Sequence, residues 1–315
     1  MDVLKHMSEG LRYSGGKQHN LCVACCRGKM VERSYKGHNE KATAAFQVIY
    51  ADLWGPVAMS LQNNKYALLI VDDYTSYTWV RFLWSKDQAS DVLQTFITQQ
   101  ATSGNFIQTL RTDNGGEFTS SVFGKFLWER GVKHARSPPY TPQFQGKVER
   151  MNRTVGEKAH AMRVGAGLSE TYWELAWGCA VFLRNRSPTS ANPAKMTPYE
   201  CMFGRKPVLD NLRVFGCRAE AFVPDAVRGK GEDRSRPGLF VGYDEISKGF
   251  KFLPDGSRKW VPVRTMAFME RAGEEKGDGL RAEDQMEMDW EEEVEDAMDV
   301  GEEAVEYEAQ RKGED

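Results

Sequence analysis

Apolar positions are sparse and weakly patterned over residues 1–46, then condense into short runs whose period changes along the chain. Gln47–Leu53 holds Val48, Ile49 and Tyr50 and predicts a strand. Tyr66–Val71 is a continuous apolar run of strand length, as expected of a strand covered on both faces. A turn, Asp72-Asp73-Tyr74-Thr75-Ser76, separates it from a third strand over Tyr77–Trp84, rich in β-branched and aromatic residues. The period becomes helical over Asp87–Ala101, where Val92, Leu93, Phe96 and Ile97 share a side. Phe106–Arg111 predicts a fourth strand. Ser120–Arg130 predicts a helix with Ser and Thr at its start and Gly131 after it, and Val132–Ala135 a short fifth strand. A Pro- and Gln-rich loop, Ser137–Gly146, leads into helices over about Lys147–Val164 and Glu170–Asn185, the second stopped by Ser187-Pro188. The order β-β-β-α-β-α-β-α-α is that of a mixed α/β domain.

From Leu212 the pattern changes again. Val214–Cys217, Pro237–Tyr243, Phe250–Phe252 and Lys259–Val263 are short β segments divided by turn residues and predict a small β-barrel. Beyond Glu270 acids dominate and aromatics nearly vanish, which predicts a disordered or transiently helical tail. A length of 315 residues suits two domains plus extensions.

Charge adds a feature that the net value of −3 conceals. Residues 271–315 hold 19 of the 45 acids and 5 of the 42 bases, a net of −14, which leaves 26 acids and 37 bases, or +11, on the rest. A basic body with an acidic tail predicts a polyanion partner for the body. Eight Lys and Arg between Arg205 and Arg236 fall around the predicted barrel, where phosphate contact competes with plain solubility as the explanation. The longest apolar run is far below the ~20 residues of a membrane-spanning helix, so no membrane association is expected. The first residues carry an acid and no apolar stretch, unlike a secretory signal. Six Cys, three of them bunched at Cys22, Cys25 and Cys26, suggest a reducing interior rather than a disulfide framework.

Three acids stand in contexts that suit chemistry. Asp52 lies in the first strand, within Asp52-Leu53-Trp54-Gly55-Pro56. Asp113 follows the fourth strand, in Thr112-Asp113-Asn114-Gly115-Gly116-Glu117-Phe118. Glu149 opens the long helix, with 35 residues between it and Asp113, behind Tyr140-Thr141-Pro142-Gln143-Phe144-Gln145-Gly146-Lys147. The spacing alone is a weak signal; the surrounding motifs make it strong. With Asn185-Arg186-Ser187-Pro188, Thr197-Pro198-Tyr199-Glu200 and Val214-Phe215-Gly216-Cys217, they resemble the integrase segment of copia-type retrotransposon polyproteins over about residues 20–270.

That resemblance implies a ribonuclease-H-like catalytic core over 46–200, an SH3-like β domain over 201–270 and the acidic tail over 271–315. It implies Asp52, Asp113 and Glu149 as catalytic residues and as ligands of Mg²⁺ or Mn²⁺. Two divalent ions about 3.5–4 Å apart would activate an oxygen nucleophile and offset charge on the leaving oxygen. Hard carboxylate oxygens are the ligands such ions prefer. The implied reaction trims the 3′ ends of the element's DNA, then joins them to target DNA without a covalent protein intermediate. Tyr140, Gln143, Lys147, Asn152 and Arg153 are the implied DNA contacts, with capping or solvation as the rival reading for Asn152 and Arg153. The resemblance further implies self-association and a nuclear site of action.

Cys22 and Cys25 resemble the second half of the family's His-His-Cys-Cys zinc module. Only His6 and His19 precede them, at the wrong spacing, so residues 1–45 read as a truncated remnant and linker, and inert Cys is favoured over bound Zn²⁺. Phe144-Gln145 replaces the usual Gln-Asn of the active-site loop. These departures keep a second reading open, an inactive or repurposed integrase-derived module that binds nucleic acid without cutting it. Asp72, Asp73 and Glu117 read as turn formers and solvated acids. Trp79, Phe82, Trp84, Trp173 and Trp177 read as core, and Cys179, Cys201 and Cys217 as small buried hydrophobes.

Overall fold

The computed structural model describes residues 41–137 and 146–270, and the backbone of 285–287. Strands β1 (Val48–Trp54), β2 (Tyr66–Asp72), β3 (Thr78–Leu83), β4 (Thr109–Thr112) and β5 (Lys133–Arg136) form one mixed sheet in the order β3-β2-β1-β4-β5. β1 runs antiparallel to β2 and parallel to β4, which in turn runs parallel to β5. Helices α1 (Ala89–Thr102) and α2 (Ser121–Glu129) precede β4 and β5, and α3 (Gly146–Gly165) and α4 (Trp173–Asn185) follow the sheet.

The continuous apolar run of β2 has the expected cause. Leu68 and Ile70 face α1 and α2, packing with Leu93, Phe96, Phe123 and Leu127. Ala67, Leu69 and Val71 point the other way, onto Val148, Met151 and Val155 of α3 and onto α4. The strand is therefore the middle of three layers. Asp52 shares the parity of Val48 and Tyr50, so its side chain lies on the α3 side of the sheet.

A second sheet of β6 (Arg218–Phe222), β7 (Ser235–Asp244), β8 (Gly249–Pro254), β9 (Val261–Val263), β10 (Thr265–Met269) and β11 (Gln285–Glu287) is wholly antiparallel, in the order β11-β10-β6-β7-β8-β9. Phe240, Phe250, Phe252 and Phe268 fill it, and the same buried cluster continues into α4. The join is aromatic: Phe182 of α4 stacks on Tyr243 of β7 at 3.9 Å, and the Arg186 guanidinium lies 3.5 Å from the Phe182 ring centroid. A short helix, α5 (Pro198–Phe203), bridges the two sheets in sequence, opened by Thr197 and closed by left-handed Gly204.

Several expectations are corrected. β4 starts at Thr109, opposite Val48, because β1 offers no partner further back; Phe106 is 73% exposed. Trp84 is 52% exposed, since β3 is an edge strand that ends one residue earlier. Trp79 and Phe82 are half-buried against opposite clusters, while Trp173 and Trp177 are buried as expected. Val214–Cys217 is a turn: Gly216 has φ 77°, and a Cβ there would stand 2.4 Å from that of Ala166. Cys179 is buried, but Cys201 and Cys217 are only half-buried. Asp72 and Asp73 form the turn without being solvated. Both are buried; Asp72 accepts from the Thr75 hydroxyl and from the backbone N–H groups of Thr75 and Phe46, and Asp73 from that of Ala42. Within the tail, 285–287 adds a strand to β10, which would otherwise leave a row of unpaired backbone groups.

Candidate active site

Two neighbouring parallel strands and a helix end carry the three acids. Asp52 lies near the end of β1, Asp113 directly after β4, and Glu149 in the first turn of α3, where a carboxylate suits the positive end of the helix dipole. Glu149 is exposed, whereas Asp113 is half-buried and so is Asp52. Burial pushes the Asp52 acid up from the ordinary carboxylate value to about 6; the bond from Asn152 opposes this, and the charges of Asp113 and Glu149 add to it. Asp113 and Glu149 thus share one neighbourhood with Asp52. Among the described residues, though, no group of three His, Cys, Asp or Glu stands close enough to hold a metal ion. The donor chemistry fits Mg²⁺ or Mn²⁺, since three hard oxygen ligands whose charges repel one another are stabilised by a cation between them.

Each carboxylate is held by its surroundings. Asn152, buried on α3, donates from Nδ2 to Asp52 Oδ2 at 2.5 Å, so its amide is spent on positioning Asp52; its Oδ1 is buried without a partner. Asp113 Oδ1 accepts from the Gly115 N–H at 2.9 Å. Behind it, the Thr112 hydroxyl donates to the Asp113 carbonyl at 2.9 Å and lies 2.8 Å from His134 Nε2. A hydroxyl has one proton to give, so His134 is the donor in that contact and carries its proton on Nε2. Burial and Arg136 lower the His134 pKa, which keeps the ring neutral.

Lys147, one of the implied DNA contacts, pairs with a buried acid. Its ammonium donates to Asp73 Oδ1 at 3.0 Å and to the Asp73 carbonyl, tying the start of α3 to the turn after β2. Arg153 is exposed on the helix face that carries Glu149 and makes no ion pair among the described residues. Tyr140, Gln143, Cys22 and Cys25 lie outside the described residues, and with them the question of zinc. Of the basic residues near the second sheet, Arg218 pairs with Asp255 and Arg228 with Asp225. Sequence reasoning missed the Asn152–Asp52 bond and the His134–Thr112 support. A polar residue on the inner face of α3 was the one available signal, and it pointed only to Asn152. No helix among the described residues is long and apolar enough to cross a membrane.

Comparison with known proteins identifies the two domains. The integrase core domain family matches residues 42–142, and the retroviral polymerase SH3-like domain family matches 217–279. The retrovirus-related Pol polyprotein from transposon TNT 1-94 of Nicotiana tabacum is 35% identical over 277 residues, covering 84% of this chain and 21% of that protein. The corresponding polyprotein from transposon RE1 of Arabidopsis thaliana is 34% identical over 240 residues, covering 74% of this chain and 16% of that protein. The chain thus spans about a fifth of the length of these relatives. A chain of the simian T-cell lymphotropic virus intasome in complex with PP2A regulatory subunit B56 gamma aligns with a TM-score of 0.47 and 14% identity, covering 80% of this chain and 88% of that one. A ribonuclease-H-like sheet with an antiparallel SH3-like domain behind it, matched to both families, places this chain in the integrase family, as the integrase region of a copia-type retrotransposon Pol polyprotein.

Proposed function

We propose that this chain processes DNA 3′ ends and joins them to target DNA, acting as a homo-oligomer in the nucleus. The observation that carries this reading is the arrangement of Asp52, Asp113 and Glu149 on two adjacent strands and the facing helix. These three residues would hold Mg²⁺ or Mn²⁺, which when bound supplies Lewis-acid activation of the attacking and leaving oxygens. Asn152 keeps Asp52 oriented, the Gly115 N–H and the Thr112 support keep Asp113 oriented, and Arg153 meets phosphate. The basic charge of the body draws the DNA in and makes binding salt-sensitive.

One observation favours the rival, a nucleic-acid-binding module without activity: the three carboxylates do not gather into a coordination group. A strand-transfer assay on a short duplex in Mn²⁺ separates the two. Joined product that disappears in Asp113→Asn, with the circular dichroism spectrum unchanged, supports the enzyme. Salt-sensitive binding with no product, indifferent to that substitution, supports the rival.

A further inference from the structure

Asp52 and Asp113 are held in different ways. Asp52 is gripped by another element, through Asn152 of α3. The Asp113 carboxylate takes its one hydrogen bond among the described residues from within its own loop, the Gly115 N–H at 2.9 Å. Whatever fixes that loop therefore fixes the carboxylate.

Gly115 leads into a single helical turn, Gly116–Phe118, in which the Phe118 N–H donates to the Gly115 carbonyl at 3.0 Å. Phe118, 1% exposed, anchors this turn in the cluster packed by α1 and α2. Between the two lies Glu117. Its side chain, expected from the sequence to be solvated, is 3% exposed and folds back under its own loop. A Cβ on Gly115 would stand 2.5 Å from Glu117 Oε2 and 2.6 Å from Oε1, so only glycine lets the backbone that donates to Asp113 rest on that carboxylate.

A carboxylate is costly to desolvate unless a cation offsets it. Here the cation is Lys86, whose Nζ stands 3.1 Å from Glu117 Oε2; among the described residues no other group bonds that oxygen. Lys86 belongs to another single helical turn, Lys86–Gln88, between β3 and α1. That turn is fixed at both ends, by Leu83 and Ala89, which are buried in the same cluster as Phe118. The ion pair thus ties the Asp113 loop to a part of the domain that carries none of the three acids.

We propose that Glu117 and Lys86 are positioning residues for Asp113, Lys86 acting through Glu117 and Glu117 through Gly115, so that the pair sets the direction in which the Asp113 carboxylate meets a divalent ion. This rests on reading Asp52, Asp113 and Glu149 as ligands of Mg²⁺ or Mn²⁺. The sign of the effect separates placement from plain electrostatics. Lys86 is a cation, so Coulomb repulsion alone would make its removal favour a bound metal ion, whereas loss of placement weakens binding.

The test is calorimetric titration of the full chain with Mn²⁺, with urea unfolding of the metal-free protein alongside. Lys86→Ala, at a side chain 52% exposed, is expected to weaken Mn²⁺ binding about tenfold, the low end of what losing a partner behind a metal ligand costs. Lys86→Arg restores the cation and should bind as the parent does. A role in stability alone would lower the urea midpoint and leave the Mn²⁺ affinity of the folded chain unchanged. Unchanged or tighter Mn²⁺ binding by folded Lys86→Ala overturns the proposal. Should that variant fail to fold, Glu117→Asp, which keeps the charge and shortens the reach by one methylene, decides by the same criterion. A parent that binds no Mn²⁺ overturns the ligand reading and this proposal with it, whereas a binding parent with an indifferent Lys86→Ala overturns this proposal alone.

Discussion

Asn185 should be among the residues whose loss costs this fold most relative to its size. It sits at the last turn of α4, 2% exposed, and its side-chain amide pairs with one residue of the edge strand β3. Oδ1 accepts from the Thr78 N–H at 2.9 Å, and Nδ2 donates to the Thr78 carbonyl at 2.8 Å. The amide therefore acts as one residue of a further strand, satisfying backbone groups of a residue that is itself 1% exposed. Asn185→Ala leaves a buried donor and a buried acceptor unpaired, at about 1–3 kcal/mol each, and some rehydration brings the expected loss to about 2–4 kcal/mol. Asn185→Asp keeps the acceptor but sets a carboxylate oxygen against the Thr78 carbonyl. Burial and that repulsion raise the acid's pKa in the folded state, so the stability of this variant is retained at low pH, where the protonated acid can donate, and lost as pH rises through the shifted pKa. Urea unfolding followed by tryptophan fluorescence in EDTA, at pH 5 and pH 8, measures both effects, and hydrogen exchange of the peptide containing Thr78 localises them. An Ala variant within about 0.5 kcal/mol of the parent, the range of an ordinary surface change, would refute the reasoning. So would an Asp variant equally stable at both pH values.

Two further outcomes follow from the site. With its acid raised to about 6, ionised Asp52 costs the metal-free fold about 2–3 kcal/mol, at about 1.36 kcal/mol per pH unit between the folded and ordinary values. Asp52→Asn should therefore be more stable than the parent in EDTA at pH 8, with the gain fading as pH falls from about 6 toward the unfolded carboxylate value, while losing any Mn²⁺-dependent rise in melting temperature; a variant less stable than the parent at pH 8 contradicts this. Lys147→Met removes the partner of buried Asp73 and should cost about 2 kcal/mol in urea unfolding; because the ammonium is already committed, the salt dependence of DNA binding should not change, and a shallower slope would return Lys147 to the DNA contacts.

Periodicity and motif context made much of this molecule readable from its residues. The β2 run, the helical spacing of Leu93, Phe96 and Ile97, and the settings of Asp52, Asp113 and Glu149 all depend on neighbours within a few positions, and a local pattern survives in a linear string. β6 escaped because its inward residues, Ala219 and Ala221, are too small to mark an apolar face. Trp84 misled because apolar character does not say where an edge strand stops. The choice of partner was settled only by the folded chain. Asn152 and Asp52 are 100 positions apart, Asn185 and Thr78 are 107 apart, and Lys147 and Asp73 are 74 apart. Each pair exists because layers packed by apolar burial bring particular polar groups together where water is excluded, so that they must satisfy one another. Burial of that kind is a property of the packed layers, and it turned two acids expected to be solvated into buried anchors, one of them with Lys147 as its partner.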